Sequence, residues 1–209
     1  MNYSKQHKQM DLIYDLSLLI GTLLLAAAWP LSFALPVSIS FENGPLENLQ
    51  VVVLVLGGIY NLTLIRQSSD KQLADFHLWC AVFMIFMAFR ELSWGRVFYP
   101  IKFEKTGPVF VDMANFVWQT EAYAIIGIFI IFLAAFMLRN LPLKRMLHSR
   151  FPILIIFAML MSVIFSYIGD HGMIVGKLQG QIVEEFGELA FYVLIPALCI
   201  HYHRELSKA

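Results

Sequence analysis

A stripe of polar residues opens the last apolar segment of this chain. On a helix, Gln181, Glu185, Glu188 and Tyr192 fall within about 60° of one another, and Glu184 lies beside them. Carboxylates grouped in this way can bind a cation, carry a proton or hold a polar ligand. Because such a stripe is too polar to face lipid, we expect it to face the interior of a helix bundle.

The apolar segment behind this stripe is short for a membrane span. Leu189 to Ile200 are twelve residues without charge, which make about 18 Å of helix, whereas a bilayer core is about 30 Å thick. A complete span therefore has to include the glutamates. The alternative is a helix that enters the membrane only at Glu188, with Glu184 and Glu185 at the interface, where acidic residues favour a helix N-terminus.

Charged and amide residues recur at the ends of the other apolar segments, on the predicted outer side of the membrane. The candidate pocket comprises Glu47, Arg90, Glu91, Trp94, Glu121, Asp170, His171, Glu185, Glu188 and Tyr192. Within it, Glu185 and Glu188 are the expected primary ligands or proton carriers, while Arg90 compensates charge. Asp170 and His171 are expected to reach in from a loop. Several carboxylates this close repel one another unless a proton, a cation or an arginine neutralises them.

Simpler interpretations exist for several of these residues. Arg90 and Glu91 are also typical of an ion pair at the interface. Trp94 and Trp118, placed at the rim of the pocket, are typical of the aromatic belt of membrane proteins. The Asp170-His171 pair has glycines on both sides and is compatible with a plain turn. His201 and His203 are expected in a basic cytoplasmic tail.

A divalent metal is the one cofactor that the residues suggest. Its candidate ligands are Glu91, Glu185, Glu188 and His171, with one carboxylate left as a general base. No HExxH, GxSxG or Asp-rich motif accompanies them. Haem is not expected, because only His77 lies near a span.

Three classes of function are compatible with these residues. The first is a binding or transport protein whose acidic pocket holds a cation, a proton or a polar ligand. The second is a membrane enzyme, a metal-assisted hydrolase or a transferase, that acts on a lipid at the outer leaflet. The third is a structural or assembly protein in which the polar stripe joins helices through hydrogen bonds.

One short motif carries a resemblance. The segment Arg90-Glu91-Leu92-Ser93-Trp94-Gly95-Arg96 resembles a Glu-Glu-x-Ser-Trp-Gly-Gln pattern of uncharacterised multi-pass bacterial membrane proteins. Those proteins also carry an acidic cluster near the start of a late span, similar to Val183 through Glu188. Arginine replaces the first glutamate and the glutamine of the pattern at positions 90 and 96. The resemblance implies a site at these residues and names no reaction.

Composition places the chain in a membrane. Of its 209 residues 59% are hydrophobic and only 14% are charged, and the mean hydropathy is +0.68, whereas soluble domains are about 25% charged. The formal net charge of zero and the lack of a basic, aromatic-rich patch exclude nucleic acid as an expected partner. The lipid bilayer is the expected partner, and protein partners and oligomeric state stay open.

Hydropathy predicts an all-α, polytopic membrane helix bundle of about six transmembrane helices in one domain, residues 1–209. The predicted spans are 13–35, 49–65, 77–94, 115–138, 151–168 and 181–200. The first is expected to remain as a helix rather than to be cleaved as a signal peptide. Gly57-Gly58 predicts a close helix contact in the second span.

The distribution of basic residues predicts the orientation. With the N-terminus inside, ten of the 15 lysines and arginines fall in inner segments, as expected from the positive-inside rule. We therefore predict a multi-pass protein of the inner (cytoplasmic) membrane, with both termini in the cytoplasm and the acidic pocket facing outward.

Overall fold

The structure, a computed structural model, describes residues 3–98, 100–104, 107–111, 119–173 and 175–208. Within these ranges the chain folds as the predicted all-α helical bundle, to which one small antiparallel hairpin is added. The elements are α1 (Tyr3–Ala34), α2 (Pro45–Ile65), α3 (Lys71–Glu91), β1 (Pro100–Glu104), β2 (Gly107–Phe110), α4 (Gln119–Asn140), α5 (Leu143–His148), α6 (Ile153–Asp170) and α7 (Lys177–Leu206).

Five helices of the described chain are long and apolar enough to cross a membrane, namely α1, α2, α3, α4 and α6. They correspond to the first five predicted spans. The sixth predicted span lies in α7, which does not meet the same criterion of length and composition. Its position explains the difference: α7 packs against α1, α2 and α6, and 18 of its 30 residues are buried. A helix enclosed by protein can carry polar groups, because neighbouring helices supply partners for them.

Some element boundaries differ from the prediction. The third helix ends at Glu91 rather than at Trp94, because Ser93 and Trp94 adopt positive φ angles that break a helix. The predicted start of the fourth span, at residues 115–118, lies outside the described residues. The hairpin and α5 were not predicted, since neither is long enough to produce a hydropathy signal.

Glycines set how closely α7 approaches its neighbours. A Cβ atom at Gly187 would lie 2.8 Å from the backbone nitrogen of Ser166, and one at Gly169 would lie 2.5 Å from the nitrogen of Glu184. The backbones of α6 and α7 are therefore in direct contact. The predicted close contact at Gly57 and Gly58 is also present, against the side chains of α3. With its glycine face against α6, α7 turns its glutamates toward α2 and α3.

The bundle has two ends, one marked by ion pairs near the chain termini and the other by the hairpin. At the first, which we call the termini end, Asp11 near the start of α1 pairs with Arg204 near the end of α7 at 2.5 Å, and Arg145 of α5 pairs with Asp70 at 2.9 Å. The opposite end carries the β1–β2 hairpin, and we call it the hairpin end. Glu47, in the first turn of α2, lies at the hairpin end, and so do Glu185 and Glu188 in the first half of α7.

Candidate functional site

A hydrogen-bonded cluster joins the last turn of α3 to α7. The Arg90 guanidinium donates from Nη1 to Glu91 Oε1 at 2.7 Å and to Tyr192 Oη at 2.7 Å, and from Nη2 to Glu188 Oε1 at 2.9 Å. The Tyr192 hydroxyl in turn donates to Glu91 Oε1 at 2.6 Å. One cation therefore serves two carboxylates, and we call these four residues the Arg90 cluster.

The burial of its members is uneven. The Glu91 side chain is 6% exposed, whereas that of Arg90 is 46% exposed. Arg90 and Glu91 are neighbours on one helix and point about 100° apart, and the long arginine side chain bends back to reach both carboxylates. The charge of Glu91 is thus neutralised inside the bundle, and the outer face of the guanidinium stays open.

Glu185 has a different partner. Gln50 Nε2, on α2, donates to Glu185 Oε2 at 2.7 Å and to the Glu185 backbone oxygen at 3.1 Å. Gln50 is completely buried, and its Oε1 atom has no hydrogen-bond donor within the described part of the chain. A buried carbonyl without a donor is costly and rare. Sequence reasoning missed Gln50, although it lies one turn after Glu47 on the same face of α2.

Glu47 adds a further carboxylate to this region. Its Oε2 atom accepts a hydrogen bond from the backbone N–H of Asn43 at 2.5 Å, and this bond holds the start of α2. Glu47 also lies within electrostatic range of Glu91, Glu188 and Glu185. Several carboxylates therefore share this part of the bundle with the guanidinium of the Arg90 cluster, and negative charge is in excess there.

A cavity of about 220 Å³ opens beside the Arg90 cluster. Arg90, Glu188 and Tyr192 line one side, and Ser162 and Ser166 of α6 line the other. The two serines are four residues apart and share the face of α6 that packs against α7. Most of the cavity surface is apolar, and Arg90 and Glu188 lie at its edge.

The Ser-Trp-Gly motif forms a tight turn directly after α3, next to the Arg90 cluster. Ser93, Trp94 and Gly95 have φ angles of 44°, 56° and 90°, and such strained conformations in non-glycine residues occur where the surrounding structure imposes them. Glu42, in the connection between α1 and α2, accepts a hydrogen bond from Ser93 Oγ at 3.1 Å and pairs with Arg96. The motif thus fixes the end of α3, and with it Glu91. Sequence reasoning did not include Glu42.

Other predicted site residues lie apart from the cluster. Trp94 packs edge-on against Phe86, with ring centroids 5.0 Å apart, and lines an apolar cavity of about 390 Å³ between α3 and α4. Glu121 is exposed at the start of α4. Asp170 and His171 are exposed and lie 3.5 Å from each other, and His171 Nδ1 is 2.9 Å from the Tyr167 backbone oxygen. Trp118 lies outside the described residues.

The structure does not assemble the proposed metal ligands. Among the residues that it describes, no group of three or more histidine, cysteine, aspartate or glutamate side chains could hold a metal ion. The physical reason is that Arg90 lies between Glu91 and Glu188, while Glu185 bonds to Gln50 and His171 to its own helix. Glu91, Glu185, Glu188 and His171 therefore do not converge on one point in the described structure, and the metal site stays a prediction from the sequence.

His203, which was expected in a basic tail after the last span, lies within the last helix instead. The helix α7 continues to Leu206, and His203 is only 8% exposed. Its Nδ1 atom lies 2.8 Å from Nε2 of the fully buried His77. The apolar run ends near Ile200, and for this reason hydropathy alone did not extend the helix to His203.

These features define a class: a multi-pass membrane bundle with a partly buried cluster of carboxylates and one arginine at its hairpin end. No protein-family model matches this chain, and no curated protein or solved structure matches it. The resemblance of the Ser93-Trp94-Gly95 motif consequently stays an expectation, and the function has to be argued from the geometry.

Proposed function

We propose that this protein binds an exchangeable proton at Glu185, in a pocket that faces the outside of the inner membrane. The observation that carries the proposal is the Oε1 atom of Gln50, which is buried beside Glu185 without a donor. A protonated carboxyl group has an O–H donor, which a carboxylate lacks. A carboxylic acid and a primary amide can then exchange two hydrogen bonds, so that protonation of Glu185 satisfies Gln50 as well.

Charge balance supports the same proposal. Arg90 neutralises part of the charge of Glu91 and Glu188, and Glu185 has an amide as its side-chain partner rather than a cation. An unpaired carboxylate at such a site is expensive. A proton on Glu185 removes the cost of burying its charge, and the surrounding side chains need not move. A metal ion would require further ligands.

The orientation forms part of the proposal. The positive-inside rule assigns the termini end to the cytoplasm, so that the Arg90 cluster and Glu185 lie toward the outer side of the membrane. Fusions of a periplasmic reporter and of a cytoplasmic reporter to the C-terminus test this assignment. Activity of the periplasmic reporter alone would contradict it.

Infrared difference spectroscopy of the purified protein in detergent tests the proton site. In the difference spectrum between acidic and alkaline samples of the wild type, we expect the C=O stretching band of a protonated, buried carboxyl group. The band should be present at acidic pH and lost at alkaline pH. This band should disappear in Glu185→Gln and persist in the matched control Glu184→Gln, since Glu184 is its neighbour and makes no hydrogen bond to Gln50. Persistence of the band in Glu185→Gln would refute the proposal.

The same variants separate the proton from a cation and from simple helix packing. If Glu185 held an inorganic cation, Na⁺, K⁺, Mg²⁺ or Ca²⁺ would raise the melting temperature of the wild type and leave that of Glu185→Gln unchanged. If Glu185 only joined helices, the spectrum would show an ionised carboxylate at every pH at which the protein is folded.

A further inference from the structure

A second buried polar chain lies at the termini end of the bundle. His77 Nε2 of α3 is 2.8 Å from His203 Nδ1 of α7, and His77 Nδ1 is 2.9 Å from Asn61 Oδ1 of α2. Asn61 and His77 are completely buried. These three side chains join three helices in an otherwise apolar core, and neither the Arg90 cluster nor the Glu185 site includes them.

The hydrogen bonds of this chain determine where its protons lie. Asn61 Nδ2 donates to the Gly57 backbone oxygen at 2.9 Å, so its Oδ1 atom is the acceptor that faces His77. His77 must then carry its proton on Nδ1, which leaves Nε2 as an acceptor. His203 consequently donates from Nδ1, and its own Nε2 atom is the unprotonated nitrogen of the neutral pair.

His203 reaches solvent through a large polar cavity. The cavity has a volume of about 700 Å³, lies at the termini end and includes His203 in its lining. The titratable and charged groups around it are His7 and Asp11 from α1, Arg66 just after α2, Arg204 in the last turn of α7, and Lys208 just after α7. Asp11 pairs with Arg204 at 2.5 Å. Water can therefore bring a proton to His203, whereas His77 is shielded behind it.

We propose that the His203–His77 pair binds a single exchangeable proton that enters from the termini end. The proton adds to Nε2 of His203, and the hydrogen bond from its Nδ1 atom to His77 is kept. The Nδ1 proton of His203 can then move across the 2.8 Å bond to His77 Nε2, which transfers the positive charge into the core. Asn61 cannot accept a proton, so the relay ends there and the proton leaves by the same route.

The arrangement limits the pair to one added proton. A second would place N–H groups on both facing nitrogens and two charged rings with centroids 5.0 Å apart. Burial and the neighbouring cations of the cavity oppose such a state. The pair therefore titrates as one unit and not as two independent histidines.

This site is separate from the one proposed at Glu185. The two residues are eighteen positions apart on α7, which is five helical turns and about 27 Å. They therefore share one face of the helix at its opposite ends. The structure thus assigns one proton site to each end of α7, and neither assignment rests on the other.

Nuclear magnetic resonance of the full-length protein, labelled with ¹⁵N-histidine in detergent micelles, tests the inference. At alkaline pH we expect four of the six histidines to be Nδ1–H tautomers, because His148 and His171 also donate from Nδ1 to backbone oxygens. Of these four, His77 and His203 should show a scalar coupling between their facing nitrogens, across the hydrogen bond that joins them. On acidification, the pair should take up one proton, with both rings shifting together. His203→Gln should abolish the coupling, while the control His148→Gln, on α5, should preserve it.

Several outcomes would overturn the inference. An Nε2–H tautomer for either ring, or two protons taken up independently, would contradict the relay. A correct tautomer pattern without any proton uptake while the protein stays folded would mean that the pair only joins helices. These tests need only the wild type, so they hold even if His203→Gln does not fold. Glu185→Gln should leave the histidine signals unchanged, so the two proposals can fail separately.

Discussion

Replacement of Tyr192 by phenylalanine removes one hydroxyl group from the centre of the Arg90 cluster. Tyr192 is 2% exposed, and its hydroxyl donates to Glu91 at 2.6 Å and accepts from Arg90 at 2.7 Å. The substitution keeps the ring and creates almost no cavity. Any loss of stability therefore measures these two bonds.

The expected magnitude follows from the partners. Hydrogen bonds to charged groups contribute about 1.5–3 kcal/mol in soluble proteins, whereas interhelical bonds in membrane proteins average about 0.6 kcal/mol. Arg90 still neutralises Glu91 in the variant, so that carboxylate is not left alone. We expect the free energy of unfolding to fall by about 1–2 kcal/mol, between these limits.

Unfolding in mixed micelles, followed by tryptophan fluorescence and circular dichroism, measures this change. Tyr202→Phe is the matched control: Tyr202 lies on the same helix and is 7% exposed, and its hydroxyl makes no hydrogen bond to the described residues. We expect the control to change stability by less than about 0.5 kcal/mol. Equal effects of the two substitutions would refute the assigned bonds. A coupling energy near zero between Tyr192→Phe and Glu91→Gln would do so independently.

Two further predictions concern the scaffold. Gly187→Ala should lower the free energy of unfolding by about 1–3 kcal/mol, because its Cβ would meet backbone atoms of α6 at 2.8 Å and 2.9 Å; Gly127→Ala, with open space around it, should be neutral or stabilising in the same assay. The backbone N–H groups at the start of α3, and then the Arg145 guanidinium, hold the pKa of Asp70 below its ordinary value. Asp70 therefore stabilises the fold above about pH 4 and loses this contribution as the pH falls through its lower folded pKa. Acid titration of stability should show this loss in the wild type and not in Asp70→Asn.

Most of the helical fold was predictable because its signal is local. The length and hydropathy of an apolar segment are sufficient to predict a membrane helix, and for this reason the first five predicted spans agree with helices of the bundle. The end of α3 was not predictable from hydropathy. It depends on the positive φ angles at Ser93 and Trp94, which Glu42 supports from a connection some fifty residues earlier in the chain.

The candidate site was predictable only in its residue types. Arg90, Glu91, Glu188 and Tyr192 were named from the sequence, and the structure brings them together. Asp170 and His171 were named on the same grounds, and they bond to their own helix end instead. Both groups have equal polarity and a similar predicted depth, so nothing local distinguishes them.

The sequence by itself determined the class of protein and the polar face of α7, because composition and helical periodicity are properties of each segment alone. Only the tertiary structure decided which groups meet. The close backbone contact between α6 and α7, together with the packing of α2 and α3 against α7, brings Gln50 to Glu185 and His77 to His203. Hydrogen bonds extend only about 3 Å, so a small rotation of one helix changes every partner on its face.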